Sequence, residues 1–538
     1  MRKRMVENLA DAQTEAYNST FSPTQRAFFR IAEPLINTYL AALQSAVALT
    51  DKCVMNPDIL AATYRHLVAE KVILLVSRAA VLELNVARQA EELRGATPEE
   101  RFEAFFDSFD RLAFFEQYPV LDRLLHTTLQ NASNYLTEIC RNYAADWQQL
   151  FPKSAKMPKI VTLKADFMDV YTDGRCVLIL KFDNNITWVY KPRDGGVDAA
   201  FQDFLAWFNA YQVHLPFRLL TIISHNTYSW NEFVQQSDVF SPEEIEVAFQ
   251  KIGSLLCFFY LFDATDLHQS NGILSGSNPM MIDLETLLQP RLYWDDKYRS
   301  LRRTHFLPNK ENPVLPDAED LDYLEKKGLD PTGKVWTEQK CFCWDNQGQD
   351  TMQILRRRVL VEKPKKGLIV AEKRVNPADF APIIIKSFRK TYRFIEANKA
   401  AFLTAVTTCF TGHKLRVITR GTKKYDALIE EMGHPAVLSS IEQQEQLLSA
   451  LDYESDNSVF SQIIAAEEKK HLRQMVAPSF TCLAEGRDLY AGNDKLIADF
   501  FITDALSVVA QNLAEISNKD LEKQVRIIRK QFSYCVIE

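Results

Sequence analysis

A chain of 538 residues has room for about three or four domains and a sizeable buried core. Its 63 Lys and Arg against 70 Asp and Glu leave a formal charge of −7, which argues against a generic nucleic-acid binder, because such a surface needs a basic excess. With 47% hydrophobic and 25% charged residues, and only 16 Gly and 21 Pro, the composition is that of a folded globular protein rather than a disordered or fibrous one.

The nine cysteines, Cys53, Cys140, Cys176, Cys257, Cys341, Cys343, Cys409, Cys482 and Cys535, show no CxxC pair and no zinc-ribbon spacing. Cys341 and Cys343 are close enough to share a strand face and no more. Reduced thiols and a cytoplasmic location are expected. The basic N-terminus has no apolar stretch behind it, so it does not read as a signal peptide. The longest apolar run, Leu255–Phe262, is too short to cross a bilayer, and no membrane anchor is expected.

From about residue 20 to 150, apolar residues recur at helical spacing. Phe105, Phe109, Leu112 and Phe115 form one stripe, and Leu121, Leu124, Leu125 and Leu129 another, both expected to line a helical core. Between 160 and 240 the texture changes. Two β-rich runs, 176–182 and 186–190, flank Asp183, Asn184 and Asn185 and predict a hairpin turned by an Asx motif, with Lys191 directly after the second strand. Val197, Phe201, Phe204, Phe208 and Tyr211 then return to helical spacing. Ser241, Pro242 and Glu244 carry the pattern of a capped helix start, so a helix is predicted over about 242–262, stopping at the polar residues 263–266. Two short strands are expected in 272–285 around the turn at 275–279. Residues 306–350 read as a long excursion. From about 383 the pattern is mostly helical, broken near 411–422 and near 476–494, and no internal repeat is visible.

One constellation carries chemistry. Asp266, His268 and Asn271 follow the end of the predicted helix, with Asp266 and Asn271 five positions apart, and Asp283 comes twelve positions after Asn271, two before Glu285. The order parallels a kinase catalytic loop, in which an Asp accepts the proton of the substrate hydroxyl, an Asn holds magnesium and a second Asp follows on a strand. Phosphoryl transfer needs a hydroxyl in line with the γ-phosphate, hard oxygen ligands for magnesium and a cation over the phosphates. Lys191, at a strand end upstream, suits the last task. Singly these residues have plainer readings: a capping loop for Asp266 to Asn271, a hydrogen-bonded structural histidine for His268, a solvated turn for Lys191 to Arg193. No Gly-x-Gly-x-x-Gly loop or P-loop is present, so phosphate contact has to come from another turn, such as Thr172–Arg175, and a conventional protein kinase is disfavoured.

These residues resemble a family: the N-terminal dehydratase domain of class II lanthipeptide synthetases, the LanM type. The matching stretches are Phe114–Leu125, Val189–Arg193, Tyr228–Val234, Thr265–Asn271, Ile282–Leu287 and Arg416–Thr422 with Tyr425, in the family's order, over roughly residue 100 to the C-terminus. The resemblance implies an α+β fold with a lipid-kinase-like bilobal core and large helical additions at both ends. Its parts would be a helical region at 1–150, an N-lobe at 151–240, a C-lobe at 241–400 with the catalytic and activation-type loops, and a helical part at 401–538 that completes an elimination site.

The implied activity is phosphorylation of Ser and Thr in a ribosomal precursor peptide, leader plus core, with ATP and Mg2+, followed by elimination of phosphate to dehydroalanine or dehydrobutyrine. Other maturation enzymes are further possible partners; nucleic acid and membrane are not. By resemblance, Lys191 would contact ATP phosphates, Asp266 the substrate hydroxyl and His268 the loop or the transferring phosphate. Asn271 and Asp283 would bind magnesium with Glu285 beside them. Lys191, Arg416, Thr422 and Asp169 would hold the phosphoester during elimination.

Two departures stand out. Where the family often has Asp-x-His ahead of its hairpin, this chain has Asp169, Val170 and Tyr171, and the family's Asp-Ile-Pro-Tyr-Phe corresponds to Val476–Phe480. The two cysteines and histidine of the family's zinc cyclase have no counterpart here, so ring formation is not expected of this chain, which resembles a stand-alone dehydratase half. The basic run Arg356 to Arg358 through Lys363, Lys365, Lys366, Lys373 and Arg374 has two readings, a solvated loop face or a receiver for an acidic leader. For the whole chain, a dehydratase, a peptide kinase that stops at the phosphoester and a catalytically silent precursor-binding scaffold stay open, with the full set of Lys191, Asp266, Asn271 and Asp283 speaking against the last.

Overall fold

The computed structural model describes residues 21–48, 54–170, 175–237, 241–267, 271–292, 299–307, 334–336, 341–357, 360–362, 369–370, 373–374, 377–452 and 459–533. The fold is α+β. The chain forms two compact units, each gathered from three segments: Met1–Pro192 with Phe342–Arg356 and Arg420–Pro478, and Arg193–Cys341 with Arg357–Thr419 and Ser479–Glu538.

The first unit opens with helices Pro23–Ala48, Pro57–Gln89, Pro98–Asp107, Arg111–Gln117 and Pro119–Leu150. Four of them begin on proline, whose fixed φ suits the first turn and whose missing N–H costs nothing there. Thr97 and Glu100 form a reciprocal capping box ahead of Pro98–Asp107. The three long helices pack on one another, and Tyr64 donates its hydroxyl to the Leu129 carbonyl inside their core at 3.1 Å. Leu121, Leu124, Leu125 and Leu129 are all buried, as their spacing predicts.

The other stripe behaves differently. Ser108 closes one helix and Asp110 caps the next, which resets the helical phase between Phe109 and Leu112. Leu112 is 73% exposed, and Phe102, Phe106 and Phe114 are buried in its stead.

Beyond these helices, β1 (Ile160–Val170), β2 (Cys176–Phe182) and β3 (Thr187–Lys191) run as an antiparallel meander. Asn185 takes the left-handed conformation of the predicted turn, at φ 65°. Cys176, Leu178, Leu180 and Phe182 of β2 all face inward, at the two-residue period of a strand. Lys191 is the last residue of β3 rather than the first beyond it.

The second unit is built around the helix Pro242–Phe262. Ser241 and Glu244 form the capping box that the sequence predicts, and the helix ends where expected. The run Leu255–Phe262 is thus part of a 21-residue helix that is long and apolar enough to cross a membrane by length and composition, but 83% of its apolar window is buried inside the protein. It is a core helix. Gly253 lets Ala381–Ala397 cross it closely, since a Cβ there would lie 2.4 Å from the Ile384 carbonyl oxygen.

On another side sits the helix Gly196–Ala210. Its Phe204 is surrounded by Phe258 at 5.0 Å, Phe262 at 5.1 Å and Phe402 at 5.6 Å, all centroid distances. Hairpins β4–β5 (Ile222–Ser224, Ser229–Glu232) and β6–β7 (Gly272–Ser275, Asn278–Met281) belong to this unit. The two breaks expected in the helical C-terminal pattern prove to be one structure: strand Lys414–Val417 pairs with Phe480–Leu483, which leads on to Leu489–Ala491 and Asp494–Ile497 in a four-stranded antiparallel sheet.

A buried polar cluster joins this unit's helices. His214 Nε2 lies 3.2 Å from both Thr391 Oγ1 and Ser387 Oγ, and Ser254 Oγ is 2.9 Å from Thr391 Oγ1. Burial, helped by the nearby Lys390 ammonium, pushes the imidazole from 6.5 down to about 4.

Two outcomes follow from this packing. Phe204→Ala is expected to cost about 3–5 kcal/mol of stability in denaturant unfolding, and Leu112→Ala less than about 0.5 kcal/mol. Between about pH 6.5 and pH 4 the unfolded chain protonates His214 while the native state does not. Stability therefore falls as pH drops through that window and is untouched above it. Urea unfolding at about pH 7 and about pH 5 is expected to show a smaller difference for His214→Gln than for the wild type.

Candidate functional site

The core helix hands over to a loop fixed at every turn. Asp263 ends the helix in the left-handed conformation, φ 57° and ψ 33°, which Asp tolerates better than most residues. Its buried carboxylate accepts two bonds from Arg303 Nη1, at 2.9 and 2.8 Å. Downstream, Thr265 N donates to the Thr286 carbonyl at 3.2 Å, Thr286 Oγ1 returns a bond to the Thr265 carbonyl at 2.7 Å, and Leu267 N donates to the Thr304 carbonyl at 3.0 Å. Asp266 lies between these tethers and is itself left-handed, at φ 56°. Two such residues in four positions store backbone strain that only a fixed surrounding sustains, and strain of this kind gathers at functional sites.

The β6–β7 hairpin brings the next residues together. Asn271 enters it and Asp283 leaves it, and the ladder extends one step beyond the strands through Ile282 N to the Asn271 carbonyl at 2.8 Å. Asn271 Nδ2 donates to the Asp283 carbonyl at 3.3 Å. Its other amide atom, Oδ1, is buried with no hydrogen-bond partner among the described residues, and Asn271 as a whole is 8% exposed. A buried carbonyl oxygen left unsatisfied asks for an explanation, and a hard cation is one that suits it.

Asp283 and Glu285 are held by two arginines. Arg193 Nη2 donates to Asp283 Oδ1 at 2.6 Å, and its Nε lies 3.4 Å from Glu285 Oε2. Arg193 Nη1 is 2.8 Å from Asp198 Oδ2 and donates to the Asp194 carbonyl at 3.0 Å. Asp198, in the first turn of Gly196–Ala210 and 2% exposed, accepts Leu284 N on its other oxygen at 3.0 Å. Arg416 ion-pairs with Glu285 Oε1, and its backbone N donates to the Glu285 carbonyl at 3.0 Å. Its strand position is set opposite Thr481. Three carboxylates thus meet two guanidinium groups.

Of the residues singled out from the sequence, the second unit brings Asn271, Asp283, Glu285 and Arg416 together and places Asp266 on the loop before them. Lys191, Asp169 and Thr422 belong to the first unit. Lys191 is buried at the end of β3, Asp169 lies on β1 and Thr422 opens the helix Thr422–Met432. His268 and Tyr171 lie outside the described residues, as does the turn at 172–174; Arg175 pairs with Glu138 at 3.0 Å.

The Lys-Pro-Arg stretch is not a solvated turn: Lys191 and Pro192 are buried, and the Arg193 side chain is 11% exposed. In the basic run, Arg356 pairs with Glu431 and lies over the Phe342 ring at 4.6 Å, Lys373 and Arg374 form a short strand, and Arg358, Lys363, Lys365 and Lys366 fall outside the described residues. Sequence reasoning missed Arg193, Asp198 and the Asp263–Arg303 pair. A signal exists for one: Asp198 stands three positions before Phe201, on the buried face of the same helix.

Among the described residues no three His, Cys, Asp or Glu side chains gather as a metal cage. Magnesium does not need one, since it keeps several waters and is commonly held by one or two protein oxygens together with substrate phosphates. Asn271 and Asp283 fit that pattern.

Residues 118–482 match a protein family described as "Domain of unknown function (DUF4135)". The chain belongs to the DUF4135 family. It is also similar to the lacticin 481/lactococcin biosynthesis protein LcnDR2 of Lactococcus lactis subsp. lactis, 25% identical over 480 residues, which cover 84% of this chain and 50% of that protein. It spans about half the length of this curated relative. Both matches bear out the resemblance to class II lanthipeptide synthetases. The DUF4135 segment contains Asp169, Lys191, Asp266, Asn271, Asp283, Glu285, Arg416 and Thr422 alike.

The loop's rigidity is open to a direct check. Arg303→Met leaves the buried Asp263 carboxylate without its main partner and is expected to cost about 3–5 kcal/mol in denaturant unfolding.

Proposed function

We propose that this protein is a Ser/Thr peptide dehydratase of lanthipeptide maturation. It phosphorylates a ribosomal precursor peptide with ATP and Mg2+ and then eliminates the phosphate, acting in the cytoplasm on a lipid-kinase-like bilobal core. The observation that carries the reading is the buried Asn271 Oδ1 with no partner among the described residues, joined to Asp283 through Nδ2 at the mouth of one hairpin. The relative's name, a lacticin 481/lactococcin biosynthesis protein, supports the peptide class of the substrate.

In this reading Asn271 and Asp283 hold the magnesium ion, with Glu285 beside them. When bound, the ion neutralises charge on the nucleotide phosphates and orients them for transfer. Lys191 contacts the same phosphates as a point charge. Asp266 accepts the proton of the substrate hydroxyl as its oxygen bonds to the γ-phosphorus and the bond to ADP breaks. His268 supports the loop or the transferring group.

In the second step the proton α to the carbonyl is removed, the carbon–carbon double bond forms and inorganic phosphate departs from the β-carbon. Arg416, Thr422, Lys191 and Asp169 hold the phosphoester for this step. Guanidinium and hydroxyl donors at the phosphate oxygens lower the barrier by stabilising the charge of the leaving group.

Incubation with ATP, Mg2+ and precursor peptide, followed by mass spectrometry, tests the reading. The wild type is expected to remove one water per modified residue. Asp283→Asn is expected to reduce both phosphorylated and dehydrated product by at least about 100-fold, and Arg416→Ala to let phosphopeptide accumulate. Normal dehydration by Arg416→Ala would remove Arg416 from the elimination step. Phosphopeptide as the wild type's end product would favour a kinase that stops at the phosphoester, the outcome to which Tyr171 in place of the family's histidine points.

A further inference from the structure

Arg193 has no role in the chemistry just described, yet its guanidinium reaches several of the site's acids. One guanidinium spans three carboxylates from two parts of the fold: Asp198 at 2.8 Å on the helix that follows it, and Asp283 at 2.6 Å and Glu285 at 3.4 Å in the segment after β7. Its Nη1 is anchored again by the Asp194 carbonyl at 3.0 Å.

Two features set this apart from an ordinary buried ion pair. A pair that served stability alone would be complete with Asp198, which is almost wholly enclosed. Asp283 and Glu285, by contrast, keep 17% and 15% of their side-chain surface exposed, so the carboxylates that Arg193 reaches beyond Asp198 are the ones solvent also reaches.

We propose that Arg193 is a positioning residue: clamped by Asp198 and the Asp194 carbonyl, it fixes the Asp283 and Glu285 carboxylates in the orientation that a divalent cation with nucleotide phosphates requires. This rests on the reading of Asn271 and Asp283 as the magnesium ligands. The fork geometry matters as much as the charge. Nη2 donates to Asp283, while Nη1 and Nε lie at ion-pair distance from Asp198 and Glu285 in one rigid plane, which a lysine ammonium cannot reproduce.

The test reads binding rather than turnover. A fluorescent ATP analogue is titrated into the full chain in EDTA and at rising Mg2+, for the wild type, Arg193→Lys, Arg193→Gln and Asp198→Asn, with thermal melts reporting which variants fold. Arg193→Lys is expected to bind the analogue in EDTA as the wild type does and to need about 10-fold or more Mg2+ for half-maximal enhancement. Asp198→Asn, which loosens the clamp from the other side, is expected to shift in the same direction.

An unchanged Mg2+ requirement in the folded variants overturns the proposal. So does an equal loss of binding with and without Mg2+, or failure of all three variants to fold, because each assigns Arg193 a structural role alone. A wild type that binds the analogue with no Mg2+ enhancement removes the magnesium reading itself, and this inference with it, a result distinguishable from normal wild-type enhancement left unmoved by the substitutions.

Discussion

The second unit turns on one electrostatic constraint. Three carboxylates close enough to share a guanidinium repel one another, and cationic charge among them offsets that repulsion. Arg193 and Arg416 supply that charge from well-separated segments of the unit. Asp198 does double service, since one oxygen ion-pairs with the guanidinium and the other accepts the Leu284 amide, and so ties the first turn of Gly196–Ala210 to the segment after β7 that bears the acids. That helix is itself seated by Phe201, Phe204 and Phe208 against the core helix. The position of the acidic residues is therefore inherited from aromatic packing.

The loop after the core helix shows the opposite strategy, strain held by bonds. Asp263 and Asp266 both occupy left-handed conformations that cost roughly 1–3 kcal/mol each for residues with a side chain. The Arg303 bonds, the Thr265–Thr286 exchange and the Leu267–Thr304 bond keep the chain there. An Asp placed on such a loop is held by its backbone, with little freedom to drift.

Much of this was legible in the sequence wherever the signal was local. The Ser241–Glu244 cap, the turn at Asn185 and the β6–β7 hairpin are written within a few residues each, and each element lies where it was read. Leu112 misled because a capping Asp two positions earlier restarted the helix, and periodicity alone does not register a change of phase. The four-stranded sheet was visible only as two interruptions, since pairing Lys414–Val417 with Phe480–Leu483 joins segments more than sixty residues apart and no local pattern encodes that partnership. Arg193 was hidden for a related reason: its turn looks solvated until the acids from 198, 283 and 285 fold around it.

The discontinuity of the second unit bears on how the molecule is born. Arg416 sits on a strand whose neighbour begins at Phe480, and the helix Asn518–Ser533 is fastened through Asp520, which accepts the hydroxyls of Tyr260 and Tyr392 at 2.6 and 2.7 Å. A ribosome that has delivered Asn271, Asp283 and Glu285 has still to release more than two hundred residues, as far as Asp520, before this framework can close, at the translation speeds that let domains fold as they emerge. The nascent polypeptide carries its acidic residues long before it has the strand Phe480–Leu483 and the helix Asn518–Ser533 that complete their framework, so order in this unit waits for residues far downstream of the acids.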